Sequence, residues 1–278
     1  MQVLGCEINQ ARIEGWVRRL VPARQPFVVD DDLVAGRDVD LDQRPGMDDL
    51  DTFLLYGKRR LWWLTEDEFS ALDAALRARL VRHQAAVGRG EVPSVRSAPA
   101  QVREAARAQA DGHRFVWWPH LVAPVADEVV LEFVRRGWPD SLPLERVDWA
   151  RAAKRLPGAQ ALAGTFAERS GANCFATVMA AAGADVADEW TQVDDFEAWL
   201  AARCRPVATA RWDDQPGTVL VWREAGHAAH AAVTVGGGLA LNKPSQAWYT
   251  PRFLWPVARV VARSRFPGGR LERHRLAD

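Results

Sequence analysis

Cys174, His230 and Asn242 are the residues of this chain whose types and surroundings could carry covalent chemistry. Cys174 lies in SGANCFATVMAAAG (170–183), where small polar residues give way to helix formers, so a helix is expected to start here with Asn173 or Ser170 as cap. First-turn amides are unpaired donors at the positive end of the helix dipole, which favours a thiolate, and the Cys174 thiol is expected to titrate below an ordinary cysteine. A cysteine so placed is a candidate nucleophile if a base reaches it; without one it is a small packed side chain.

A base is available downstream, in PGTVLVWREAGHAAHAAVTVGGGLALNKPSQ (216–246), where short apolar runs separated by Gly-rich turns read as antiparallel strands. His230 is expected to open one strand and Asn242 to close the next. With Val233 and Val235 on one face, His230, Ala232 and Thr234 share the other, and the alanine leaves room beside the imidazole. His227 is a rival base, expected in the loop that holds Gly226.

The order of helix-start Cys, strand-start His, apolar strand, Gly turn and short strand with a polar residue resembles the NlpC/P60 branch of the papain-like cysteine peptidases and amidases. The resemblance covers residues from about Leu156 onward. It implies Cys174 as nucleophile, His230 as general base and Asn242 as the group that orients the imidazole. PGTVLVW resembles the family's preceding strand, and GGGLALNKPSQ its turn and third-residue strand. One departure is plain: papain-like enzymes proper carry a Gln upstream of the Cys, whereas Phe166, Ala167, Glu168, Arg169 and Ser170 stand here. Oxyanion stabilisation is then expected from the backbone N–H of Cys174 with Asn173 or Ser170 as a further donor.

The rest of the composition is that of a soluble globular protein, 48% hydrophobic and 26% charged over 278 residues, enough for one large or two ordinary domains. A formal net charge of zero gives no global field for nucleic acid or an anionic membrane. The only lysines are Lys58, Lys154 and Lys243, an arginine bias that points to GC-rich coding DNA, as in a GC-rich bacterium. Three cysteines, Cys6, Cys174 and Cys204, are too few for a disulfide framework and fit a reducing compartment. With no signal-like start and no apolar run long enough to span a bilayer, a cytoplasmic location is expected. Leu4-Gly5-Cys6 has the look of a lipoprotein box without the apolar segment before it that such processing needs.

The elements that must position the site are expected as follows. Gln10 to Leu20 has apolar residues at helical spacing, and a capping box at Thr65 and Glu68 begins a long helix to about His83. Ala100 to Ala110 reads as a helix, Phe115 to Trp118 as a buried strand and Val125 to Val134 as a buried helix. A soft boundary near Arg155 separates a mixed α/β N-terminal domain, 1–155, of unknown role from the catalytic domain, 156–278. In the latter a helix opens at Asp194, with Cys204 at its end as a structural residue, and Phe253 to Val261 adds a strand. The expected fold class is α+β, a helix-borne Cys packed on a small antiparallel sheet.

Several patterns are weighed as sites and set aside. Asp38, Asp40 and Asp42 alternate like calcium ligands, but Gln43 stands where the loop needs Gly and Asp49 where it needs Glu. Gly88-Arg89-Gly90 lacks the Lys-Ser/Thr of a phosphate loop. His113 and His120 have no acidic or Cys neighbour at ligand spacing. Trp62-Trp63 and Trp117-Trp118 read as core or domain-interface residues before a sugar-stacking groove. No metal or cofactor is called for. The function expected is a cysteine-dependent amide hydrolase, with an intracellular acyltransferase or thioesterase-like enzyme, or a non-catalytic binding module, as alternatives. The partner expected is a peptide or other amide or ester small molecule, with no nucleic acid and no membrane, and oligomeric state open.

Overall fold

The computed structural model describes residues 1–110 and 112–277. It divides into two compact units, one of residues 9–136 and the other of residues 1–8 together with 137–278. In the second, a short hairpin pairs β1 (Gln2–Val3) with β2 (Cys6–Glu7), and the Ser141 N–H donates to Leu4 O at 2.8 Å.

The unit of residues 9–136 is helical around a two-stranded antiparallel ribbon. Asn9 caps α1 (Gln10–Leu20) by accepting from the Arg12 N–H at 2.9 Å, and Ile13, Trp16 and Leu20 form its buried face. The ribbon pairs β3 (Arg24–Val28) with β4 (Leu61–Thr65), and short helices α2 (Asp31–Val34) and α3 (Met47–Phe53) lie between them in the chain. The capping box is present: Thr65 Oγ1 accepts from Glu68 N at 3.2 Å and Glu68 Oε2 from Thr65 N at 2.7 Å.

The long helix expected after that box is two helices, α4 (Glu66–Ala71) and α5 (Ala74–Ala86). Leu72 turns extended, and Asp73 caps the second helix by accepting from Leu76 N at 2.8 Å, a local bond that outcompetes continuation. Beyond α6 (Arg103–Gln109) the expected strand at Phe115 to Trp118 is buried but irregular. Among the described residues its pairing is an isolated Ser94↔Arg114 bridge flanked by bonds from Phe115 N to Pro93 O and from Val95 N to His113 O, and Pro93 has no N–H to extend a ladder. Helices α7 (Pro119–Val122) and α8 (Ala126–Arg135) complete the unit, the latter one residue displaced from expectation. Phe27, Phe69 and Trp118 make its aromatic centre, Phe27 stacked on Phe69 at 5.4 Å.

The other unit carries a six-stranded antiparallel sheet in the order β5-β10-β6-β7-β8-β9. Its strands are β5 (Cys204–Pro206), β6 (Thr218–Glu224), β7 (His227–Gly236), β8 (Leu239–Asn242), β9 (Phe253–Pro256) and β10 (Arg270–Leu276). Gly236, Gly237 and Gly238 all take positive φ between β7 and β8, a turn that side chains with a Cβ would strain. Val219, Val221, Ala231, Val233, Val235, Leu239, Leu241 and Leu254 point to one face and form the core with α11 (Cys174–Ala181) and α12 (Val193–Arg203). Preceding helices α9 (Trp149–Ala153) and α10 (Ala159–Leu162) join that core through Ala152 and Ala159.

The compact units divide at 136/137 rather than near Arg155, because 137–155 is built into the sheet side. Leu142 N donates to Leu254 O at 2.8 Å, Ser141 Oγ accepts from Leu254 N at 2.9 Å, and Val147 is buried in the sheet core. The last expected strand is cut short at Pro256, and Val257–Arg263 is a helix, α13; proline ends the ladder and its fixed φ suits a helix start. Helix and antiparallel sheet in one chain make the fold class α+β.

Candidate active site

Cys174 is the first residue of α11, and the cap is Asn173. The Asn173 Oδ1 accepts from Ala176 N at 2.9 Å while its Nδ2 donates to Thr191 O at 2.7 Å, so one carboxamide fixes both the helix start and the loop before α12. At the far end Gly158 N donates to Ala181 O at 3.1 Å; a Cβ on Gly158 would lie 2.3 Å from Ala180 O, so only glycine allows this approach. The Cys174 helix is pinned at both ends.

Cys174 is partly exposed, and the backbone N–H groups of Ala231, Phe175 and Cys174 itself act on the thiol to favour its thiolate form. The β7–β8 ladder comes no closer to His230 than Val233↔Leu241, which leaves the Ala231 amide clear of β8 and available to sulfur. The thiol therefore meets β7 at its edge, beside the peptide that joins His230 to Ala231. Burial nevertheless outweighs these donors. The thiol is pushed up to about 11, mainly by desolvation, with the amides and the Lys243 charge opposing. This corrects the expectation of a depressed pKa: the helix N-terminus acts as foreseen, but loss of water costs the thiolate more.

His230 and Asn242 meet. His230 Nε2 lies 2.9 Å from Asn242 Oδ1, and since a carbonyl oxygen only accepts, Nε2 carries the proton and Nδ1 holds the lone pair. Nδ1 has no hydrogen-bond partner among the described residues, and no hydrogen bond joins it to the thiol in this resting arrangement. By strand alternation the imidazole and carboxamide lie on the face opposite the α11 core, and the Trp222 ring covers the imidazole at 5.3 Å. Burial lowers the imidazole to about 4, the Asn242 bond opposing, so it is neutral at physiological pH. Asn242 is 1% exposed and its Nδ2 lacks a partner among the described residues. An orphaned buried donor costs about 1–3 kcal/mol.

The other expected site residues are placed as follows. Ser170 Oγ accepts from Trp248 N at 3.1 Å, so it and Asn173 hold the turn, and the Cys174 main-chain N–H is the donor that needs no rearrangement. His227 is exposed and opens β7 opposite Glu224 instead of lying in a loop, three residues earlier than the strand was expected to start. Cys204 is buried where α12 runs into β5, and Cys6 is buried in the N-terminal hairpin. Among the described residues no three His, Cys, Asp or Glu side chains gather as a metal site. His120 pairs instead with Glu66, and Asp40 accepts from Asp42 N at 2.9 Å within its own loop.

Sequence reasoning passed over Lys243, which is fully buried, with Nζ donating to Thr250 O at 2.8 Å and Ala247 O at 3.2 Å. A signal existed: it is one of three lysines in a chain of arginines, and it directly follows Asn242. Trp222 over the imidazole was legible only as an apolar strand residue. No helix among the described residues is long and apolar enough to cross a membrane. Comparison with protein-family models, curated proteins and solved structures returned no match.

Proposed function

We propose that this chain is a cysteine-dependent amide hydrolase of papain-like, NlpC/P60-type design, working through a thioester with Cys174, His230 and Asn242 as its triad. The observation that carries the reading is the His230–Asn242 bond, which frees Nδ1 as a base on the strand whose next amide favours the Cys174 thiolate. The orphaned Nδ2 of Asn242 supports it.

Thiol and imidazole both rest neutral. The thiol and Nδ1 are not bonded at rest and lie toward opposite faces of β7, so the step requires rotation of the Cys174 or His230 side chain at the open end of the β7–β8 ladder. Nδ1 then takes the S–H proton as sulfur bonds the substrate carbonyl carbon, and the carbonyl oxygen becomes an oxyanion facing the Cys174 N–H. Collapse breaks the C–N bond, and the imidazolium returns its proton to the leaving amine. Water then attacks the thioester with Nδ1 again accepting the proton, releasing the acid and restoring the thiol. Asn242 keeps the Nε2–H tautomer throughout, the role a third residue plays in such triads.

The test is hydrolysis of a panel of fluorogenic aminoacyl and peptidyl amides by the purified chain. Release that Cys174→Ala abolishes is expected, and release accelerated by added hydroxylamine would mark a thioester whose breakdown limits turnover. A second reading, a binding module with an inert thiol, draws on the burial that raises the thiol to about 11. Equal, slow alkylation of Cys6, Cys174 and Cys204 with no amide hydrolysis would select it.

A further inference from the structure

The segment after Asn242 is organised by a cation. Lys243 Nζ donates to Ala247 O and Thr250 O, closing residues 243–250 into a compact loop around its ammonium. The same loop grips the turn before the nucleophile: Gly171 N donates to Gln246 O at 3.0 Å, and Trp248 N to Ser170 Oγ at 3.1 Å. Lys243 thus stands between two parts of the site in the chain and in space, one peptide bond from the residue that orients the base and two hydrogen-bond steps from the turn that presents the thiol. Ordering a buried ammonium with main-chain carbonyls is expensive where an apolar side chain would pack.

Resting on the thiol-nucleophile reading above, we propose that Lys243 is a positioning residue of this site: its ammonium holds the loop that braces the Ser170–Cys174 turn and is the fixed positive charge toward which negative charge develops on the Cys174 sulfur. Thiol and imidazole are both neutral at rest, so Lys243 is the cation already in place before the proton moves and the imidazolium forms.

The surrounding ionisable groups leave this role to Lys243. On β7 the titratable neighbour is His230, neutral above about pH 4. In the turn before Cys174, Glu168 and Arg169 are exposed; before α12, Asp188 is paired to Arg252 at 3.0 Å and Glu189 is exposed. Asp194 and Asp195 at the start of α12 are exposed, and α11 carries no charged residue.

The experiment measures alkylation of each cysteine by mass spectrometry in the full chain, using neutral iodoacetamide and anionic iodoacetate, in wild type, Lys243→Met and Lys243→Arg. Wild-type Cys174 is expected to favour iodoacetate over iodoacetamide more than Cys6 and Cys204 do. Lys243→Met should slow Cys174 alkylation at about pH 8 roughly tenfold, as one unit of thiol titration requires, and erase the anion preference; Lys243→Arg should keep most of both. A reactive Cys174 whose rate and anion preference are unchanged in Lys243→Met overturns the Lys243 role and leaves the nucleophile reading standing. A wild-type Cys174 no faster than Cys6 and Cys204 overturns the nucleophile reading itself. Should Lys243→Met fail to fold, the wild-type reagent preference decides: its absence at a reactive Cys174 overturns the role.

Discussion

Both units bury polar side chains, and they treat them differently. In residues 9–136, Arg89 lies 4% exposed with its guanidinium over Phe53 at 4.4 Å, donating to Pro26 O at 2.8 Å, Gly90 O at 3.0 Å and Gln25 Oε1 at 3.0 Å. Gln84 closes a reciprocal pair with the Val28 main chain at 2.7 and 2.9 Å, and Gln25 Nε2 donates to Trp117 O. These groups are saturated and tie strand to helix and loop. Around Cys174 the buried polar groups are left open instead: His230 Nδ1 has no partner, Asn242 Nδ2 is orphaned, and the thiol sits on amides that do not repay its desolvation. The Arg89–Gln25–Gln84 cluster builds architecture, whereas the half-buried His230 and Cys174 beside the buried Asn242 leave polar atoms free for chemistry.

The contrast can be broken experimentally. Cys174→Ala should reduce amide hydrolysis by about a thousandfold or more, as loss of a covalent nucleophile does, with the urea midpoint nearly unchanged. Arg89→Ala should do the reverse: a loss of about 3 kcal/mol in urea unfolding, because Pro26 O and Gly90 O lose their donor inside the fold, with Cys174 alkylation as in wild type. Asn242→Ala should lower kcat by roughly ten- to a hundredfold as the imidazole loses its fixed tautomer, yet cost under about 1 kcal/mol in stability, because it also removes an unsatisfied donor. Gln84→Ala, removing a saturated group, should cost more stability than Asn242→Ala; equal costs would erase the distinction between the two regions.

A further effect is in pH. His230 has a folded pKa of about 4, below its unfolded value near 6.5, so the unfolded state binds the extra proton and stability is complete above about pH 6.5 and falls as pH drops toward 4. His274, whose pKa burial also lowers, adds to the same limb. His230→Phe should flatten that slope by roughly 1–3 kcal/mol across the window, read from urea unfolding at several pH values. For activity the same number places the acid limb of kcat/KM near pH 4 instead of near 6.5, since the base stays neutral to that point.

Local signals carried far into this fold. The Asn173 cap, the Thr65–Glu68 box, the Gln10–Leu20 helix and the glycine turn between β7 and β8 each follow from a few neighbouring residues, and each is in place. Readings failed where a neighbour in the chain competed, as Asp73 did by capping a new helix and Pro256 by ending a strand. Others failed where the outcome depended on distant packing. The Cys174 thiol has the helix-end donors that sequence implies, but its desolvation is set by burial in the folded chain, which no local pattern reveals. The burial of Lys243 was hidden for the same reason: its rarity singles it out, but a lysine after a strand is ordinarily solvated, and only the fold buries it.

The account stands on Cys174 and His230 acting as one unit, and acyl trapping tests that most directly. The chain is mixed with p-nitrophenyl acetate, quenched in acid and digested, and the acetylated cysteine is identified by mass spectrometry in wild type and in His230→Ala. Stoichiometric acetylation of Cys174 alone, labile to hydroxylamine and lost in His230→Ala, is the predicted result; acetylation spread evenly over Cys6, Cys174 and Cys204, or unchanged in His230→Ala, would contradict it.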